Sequence, residues 1–132
     1  AAREANNGAL PPDLSLINKA RVGGPDYVYS LLMGFEDAPA DFKLNDGMNY
    51  NTVFAGNQIG MPPQIQEDLV SYADGTKATK EQLSKDITAF LNWAAEPEMD
   101  ARKSMGLKTL IFLIVLTGLF YALKRRIWKD VH

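Results

Sequence analysis

The chain has 132 residues, 46% hydrophobic and 23% charged, enough for one compact domain and unlike a disordered or low-complexity segment. It contains no cysteine, and its single histidine is the last residue, His132. That excludes a disulfide framework, a thiol nucleophile, a cysteine zinc site, a His-centred triad and a multi-histidine metal cluster. The net charge of −2 hides a division: residues 1–100 carry 15 acidic and 7 basic side chains (−8), whereas residues 101–132 carry 1 and 7 (+6). An acidic body is thus joined to a basic segment with a different role. The basic residues flank an apolar run instead of lining a polar, aromatic-rich surface, which argues against nucleic-acid binding.

All seven prolines and eight of the ten glycines fall in the first hundred residues, so the helices expected there are few and punctuated. Asp13 is placed to cap a short helix, LSLINKAR at 14–21, after the Pro11-Pro12 stop and ending at Gly23-Gly24. Pro25 suits the first turn of a second helix, DYVYSLLMGF, with Tyr27, Leu31 and Met33 or Leu32 inward and Gly34 near its end. Residues 35–63 sustain neither a 3.6 nor a 2.0 period. So long an irregular stretch in a small domain is more often functional than idle.

A short helix is expected over 64–73, closed by Asp74-Gly75. The spacing Thr79-x-x-Gln82 then predicts a capping box opening a longer helix, with Leu83, Ile87, Phe90, Leu91 and Ala94 on one apolar face. Pro97 breaks or bends the chain, and a helix from about Glu98 can run on unbroken. A body of about a hundred residues with short helices and a long loop buries little apolar surface of its own. It is expected to pack around something else: a cofactor, a further segment or a partner.

Residues 109–123, TLIFLIVLTGLFYAL, carry no charge. With Met105, Gly106, Leu107 and a snorkelling Lys108 the run covers nineteen residues, about 28 Å of helix against a bilayer core of about 30 Å. Tyr121 and Trp128 stand where an aromatic belt is expected, and Lys124-Arg125-Arg126 stop the run. A core helix is the plain alternative, but so small a domain could hardly surround it. Lys124, Arg125, Arg126 and Lys129 beyond the span, against Arg102, Lys103 and Lys108 before it, predict a cytoplasmic or matrix-side tail with the acidic body outside. The division expected is an extramembrane head at 1–97, a helix entering and crossing the membrane at 98–123, and a basic tail at 124–132.

Among groups that could carry chemistry, Glu36, Asp37, Asp41 and Asp46 form the densest acidic set, but they stand on no catalytic frame. Gly23-Gly24-Pro25 lacks the pattern of a phosphate loop, and residues 37–46 lack the ligand spacing of a calcium loop. The feature to single out is Ile59-Gly60-Met61-Pro62-Pro63. Met61 follows a glycine and precedes two prolines, so a stiff loop presents its thioether as a weak axial ligand suits a soft metal centre. From spacing alone, a gap-filling core methionine stays open.

ANNGALPPDLS at 5–15, ARVGGPDYVYSLL at 20–32, NQIGMPP at 57–63, FLNWAAEPEMDARKSMGLK at 90–108 and the apolar anchor after them together resemble the cytochrome c1 family. That family provides the haem subunit of the cytochrome bc1 complex. The matching strings are long, unusual and in the family's order, and they cover essentially the whole chain. The resemblance implies a mainly α fold: part of a c-type cytochrome head with long irregular haem-wall loops, followed by one C-terminal transmembrane helix.

It places Met61 at the sixth haem-iron ligand, and Arg21 and Tyr27 at the haem propionates, where a fixed guanidinium beside buried carboxylates makes physical sense. Asn6, Ala9, Leu10, Pro11, Pro12, Ile17, Leu31, Leu32, Phe54, Ile59 and Gly60 map to the haem pocket. The Cys-x-x-Cys-His that attaches haem c and supplies the fifth ligand is absent; in the family it lies upstream of ANNGALPPDLS. The chain therefore corresponds to roughly the C-terminal half of a family member, with covalent attachment and the proximal histidine expected from the other part.

The function implied is electron transfer within a quinol–cytochrome c reductase, from the Rieske iron–sulfur protein through the c-type haem to a soluble cytochrome c. The complex is the enzyme, and no separate catalytic site is implied on this chain. Cytochrome b, the Rieske protein, cytochrome c and membrane lipid are the implied partners, in a dimeric complex. The head would lie in the bacterial periplasm or the mitochondrial intermembrane space, and the short tail KRRIWKDVH favours the former. The competing reading is a haem-free single-pass structural or assembly subunit. The missing Cys-x-x-Cys-His favours it, and the presence of Met61 and Arg21 together opposes it.

Overall fold

The computed structural model describes residues 2–5, 8 and 10–130. The fold is mainly α, with roughly half of the chain in helices: α1 (Ala2–Ala5), α2 (Ile17–Ala20), α3 (Gly24–Met33), α4 (Lys80–Ala95) and α5 (Met99–Ile127). One small antiparallel pair interrupts the irregular stretch: β1 (Asn49–Tyr50) lies against β2 (Gln58–Ile59), with Asn49 opposite Ile59 and Tyr50 opposite Gln58. The chain separates into two compact units, Ala1–Ala95 and Glu96–His132.

In the first unit α2, α3 and α4 pack on one another around Val28, Leu32, Ile65, Ala78 and Leu83, with Ile17, Tyr27, Tyr72 and Leu91 packed against that cluster. Gly23, at φ 90°, lets the chain reverse between α2 and α3, and Pro25 sits in the first turn as expected. α3 ends at Gly34, whose N–H returns to the Ser30 carbonyl at 2.8 Å. The inward side of α3 is centred on Val28 and Leu32, while Tyr27, Leu31 and Met33 are half-buried. Of the residues the sequence suggested, Leu32 is buried and Tyr27 packs against the core, but the centre of the face is Val28, one position round from Tyr27.

The helix expected over 14–21 is only four residues long, and Asp13 does not cap it. Its carboxylate accepts hydrogen bonds from the Ser15 N–H (2.8 Å) and hydroxyl (2.6 Å). This local turn competes with helix initiation and holds the Asp13 carboxyl below its ordinary pKa. The helix expected over 64–73 does not form either. Ile65 is taken into the core, the Asp68 N–H donates to the Ala78 carbonyl at 2.8 Å, and the Tyr72 hydroxyl donates to the Asp86 carboxylate. These tertiary tethers outweigh a weak local propensity. The Asp74-Gly75 turn does form: the Thr76 N–H bonds to Asp74 Oδ1 at 3.0 Å, which lowers that carboxyl's pKa.

Thr79 caps α4 as its spacing predicts, its hydroxyl oxygen accepting the Gln82 N–H at 3.1 Å. The reciprocal half of the box is not made, because the Gln82 amide donates instead to Asp86 at 2.9 Å. The face α4 buries is Leu83, Ser84 and Thr88, with Leu91 half-buried, whereas Ile87 is 37% and Phe90 61% exposed. Small polar residues face inward because α2 comes close: Asn18 Nδ2 donates to the Thr88 carbonyl at 3.2 Å. The displaced apolar residues Ile87 and Phe90 border an open groove of about 330 Å³, walled also by Ile65, Leu69, Val70, Tyr72, Leu83 and Asp86.

The second unit is built on α5, whose 29 residues span about 43 Å. An 18-residue window within it reaches a mean hydropathy of 2.0 with no residue buried, so its length and composition fit a single membrane span. The Thr109 and Thr117 hydroxyls donate to the carbonyls of Met105 (3.0 Å) and Leu113 (2.7 Å), so both are satisfied inside the helix. At its start, Arg102 pairs with Glu96 at 2.7 Å, ahead of the uncharged run.

Candidate functional site

The residues singled out in the sequence divide between the segment before α2, α2 with the turn after it, α3, and the β1–β2 hairpin with the residues that follow it. The hairpin loop, residues 51–57, folds back on the C-terminal end of α3. The Thr52 N–H donates to the Gly34 carbonyl at 2.9 Å, and Phe35 bridges Asn51 in antiparallel fashion. The approach is tight: a Cβ on Gly34 would lie 3.0 Å from the Ser30 carbonyl, from Thr52 Oγ1 and from Val53 Cγ2.

Asn51 holds the loop in place and is fully buried, at 0% exposure. Its Nδ2 donates to the Leu31 carbonyl at 2.8 Å, while its Oδ1 accepts the N–H groups of Val53 (3.0 Å) and Phe54 (3.1 Å). Its own N–H donates to the Asn57 carbonyl at 3.1 Å. Asn57, with φ 56°, completes the reversal, and its Nδ2 donates to the carbonyls of Asn51 and Thr52 at 3.3 Å each. After the loop, β2 delivers Ile59, then Gly60 and Met61, and Pro62-Pro63 leave the strand direction.

Met61 is half-buried and stands outside the hydrophobic cluster of the first unit among the described residues. Its thioether is therefore not consumed in filling that core. Ile17, Tyr27 and Leu32 do converge on the cluster. Leu31 and Phe54 are half-buried and are joined through Asn51, and Ile59 is half-buried beside exposed Gly60. Leu10 (63% exposed), Pro11 and Pro12 form an apolar surface segment that the described contacts do not bring to Met61. Asn6 and Ala9 lie outside the described residues.

Arg21 and Tyr27 flank the turn into α3. The Arg21 guanidinium is exposed, donates to the Ala20 carbonyl at 3.3 Å and has no carboxylate partner among the described residues. No group of three or more His, Cys, Asp or Glu side chains is placed to hold a metal ion among the described residues. The donors that fit a cofactor are thus a soft thioether on a stiff loop, an unpaired guanidinium, and apolar side chains left on the surface. This set suits a large, flat apolar group with acidic substituents and a soft metal.

Sequence reasoning overlooked Asn51 and Asn57. They are two of several amides in an aperiodic stretch, and nothing in their spacing says that one is buried and the other has positive φ.

The comparisons with known proteins bear on the family of the chain. The chain matches the Cytochrome C1 family over residues 1–131. It is 51% identical to cytochrome c1 of Rhodospirillum rubrum, covering 99% of this chain and 54% of that protein. It is 54% identical to the mitochondrial cytochrome c1 heme protein of Saccharomyces cerevisiae, covering 99% of this chain and 43% of that one. It is also 53% identical to the mitochondrial cytochrome b-c1 complex catalytic subunit of Candida albicans, covering 99% and 46%. The chain spans about half the length of these relatives. A match running from the first residue to the last but one, at about 50% identity, leaves one conclusion: the chain belongs to the cytochrome c1 family.

Proposed function

We propose that this chain contributes the methionine-bearing half of a cytochrome c1 haem site and its membrane anchor, in an electron-transfer subunit of a quinol–cytochrome c reductase. The observation that carries the reading is Met61, a thioether held on a proline-stiffened loop outside the core in a chain of this family. When bound, haem c would supply a one-electron iron couple, and a methionine ligand would raise its potential. The chain's own residues bind and orient: Met61 gives the sixth iron ligand, and Arg21 and Tyr27 take the propionates. The wall is drawn from Asn6, Ala9, Leu10, Pro11, Pro12, Ile17, Leu31, Leu32, Phe54, Ile59 and Gly60. Covalent attachment and the proximal histidine come from a Cys-x-x-Cys-His outside this sequence.

The Candida albicans relative is named as a subunit of the cytochrome b-c1 complex, which supports membership of such a complex. The partners we propose within it are cytochrome b, the Rieske protein and a soluble cytochrome c, in a dimeric assembly. Residues 1–97 form the head, on the periplasmic or intermembrane-space side; 98–123 enter and cross the membrane, and 124–132 are the basic tail. The denatured mass of the polypeptide carrying this sequence, taken from the purified complex, tests the cofactor. A mass that includes covalently bound haem is expected, and a haem-free polypeptide would instead favour the structural subunit.

The acidic head supports docking of a basic cytochrome c by charge complementarity. The bimolecular electron-transfer rate is then expected to fall as ionic strength rises from about 10 to 200 mM, over which the screening length shrinks from about 30 to below 10 Å. A rate flat across that range would remove charge from the docking account.

A further inference from the structure

We infer that Asn51 is a positioning residue for the haem ligand, and that its buried amide fixes where the Met61 thioether stands relative to α3. The inference rests on Met61 being the sixth ligand, and it assigns a role to a residue that touches neither iron nor porphyrin in that reading. Two of the groups proposed to hold the haem lie far apart in sequence: Tyr27, Leu31 and Leu32 on α3, and Phe54, Ile59, Gly60 and Met61 on and just after the hairpin. What joins the groups is polar. Asn51 Nδ2 reaches the Leu31 carbonyl at 2.8 Å, at the end of α3, while Oδ1 binds the Val53 and Phe54 N–H groups at 3.0 and 3.1 Å.

Both acceptor positions of Oδ1 are occupied and the residue is fully buried, so the amide has one orientation available. On its other side Asn51 directly follows β1, and its N–H bond to the Asn57 carbonyl (3.1 Å) carries the constraint into the strand pair. β2 follows directly, and Met61 lies two residues beyond Ile59. From α3 to the ligand the path is therefore one side chain, one strand pair and two residues.

Apolar packing could not do this alone, because Met61 is outside the core cluster and a two-residue strand pair is too short to be rigid without help. An axial thioether is a weak ligand whose bond is sensitive to small displacements. A loop free to shift against α3 would lengthen that bond without unfolding the head.

The carboxylate variant Asn51→Asp keeps the size of the side chain and its bonds to Val53 and Phe54, but turns an oxygen on the Leu31 carbonyl in place of a donor. Asn51→Ser removes the reach to Leu31 without adding charge. Each is made in the complete haem-loaded protein within its complex, alongside Met61→Leu. Three quantities are read: the thioether-to-ferric-iron charge-transfer band, the midpoint potential, and amide hydrogen exchange at Val53 and Phe54.

The expected result is loss of most of the band and a midpoint moved in the same direction as in Met61→Leu. At least one Asn51 variant should show this with its reduced haem spectrum and membrane assembly retained. Exchange at Phe54 should speed up at least tenfold in Asn51→Ser. Wild-type band and potential in both Asn51 variants, with Met61→Leu altered, would overturn the positioning role and leave the ligand assignment standing. No change in Met61→Leu itself would overturn the ligand assignment, and the role of Asn51 with it. Should neither Asn51 variant assemble, Thr52→Val serves as a loop control, since it removes only the part-buried hydroxyl contact to the Gly34 carbonyl at 3.3 Å. Normal assembly and a normal band in that control, with both Asn51 variants lost at every growth temperature, would also overturn the proposal, because Asn51 would then be a folding residue.

Discussion

Replacing Met61 by leucine is expected to lower the midpoint potential of the haem and to abolish the thioether charge-transfer band, while leaving the head folded. The fold is expected to survive because Met61 is half-buried and outside the cluster of Val28, Leu32, Ile65, Ala78 and Leu83. Leucine for methionine conserves volume closely, which in cores costs under about 1.5 kcal/mol. The redox consequence is larger. Axial-ligand identity tunes haem potentials over a range of about 0.8 V. For a one-electron couple each ~59 mV is a factor of ten, so a fall of only ~120 mV would change the equilibrium with the electron donor about a hundredfold. Redox titration of the purified complex gives the midpoint, and flash-induced reduction of the haem gives the rate. A wild-type midpoint in Met61→Leu would show that Met61 does not ligate the iron. His132 is a poor candidate on sequence grounds alone, since it follows the apolar helix.

What could be read in advance was the part of the structure governed by local rules. Pro25 in the first turn of α3, the Thr79 cap of α4 and the uncharged run of α5 each follow from a few neighbouring residues, and each stands where the spacing puts it. The failures share a different cause. Residues 64–73 have some helical pattern, yet Ile65 is captured by the core and Asp68 by Ala78, contacts that no local pattern contains. The face of α4 turned because Asn18, some seventy residues earlier, bonds to the backbone at Thr88. Asp13 had a nearer partner in Ser15 than the helix it was expected to cap.

The candidate site shows the same split. Met61 stood out because glycine before it and prolines after it restrict its backbone, whereas Arg21 was singled out only through the family resemblance. Asn51 did not stand out. Its importance lies in four hydrogen bonds to residues 31, 53, 54 and 57, and only folding brings the first of these near. Leu10, Pro11 and Pro12 show the converse. They read as pocket residues only through the resemblance, and in the described contacts they remain an exposed apolar segment.

The membrane anchor gives the second large effect. Ile114, near the middle of the apolar run and 69% exposed, is expected to be the least tolerant position for charge. Arginine at the centre of a spanning helix costs about 2.5–3.5 kcal/mol and the lost isoleucine a further ~0.5, which together disfavour insertion by roughly a hundredfold to a thousandfold. The same substitution at Ile127, in the last turn beside Lys124, Arg125 and Arg126, should be nearly neutral, because a long cationic side chain there reaches the interface. Measuring the fraction of chain resistant to alkaline extraction from membranes compares the two. Loss of membrane retention in Ile114→Arg but not in Ile127→Arg fits an α5 that meets lipid along its middle and water at its end. Equal retention in both would mean that the middle of the helix is covered by protein or lines a polar cavity. The anchor would then have to be sought in contacts with other subunits, and the in-helix bonds of Thr109 and Thr117 would no longer be explained by an apolar surrounding.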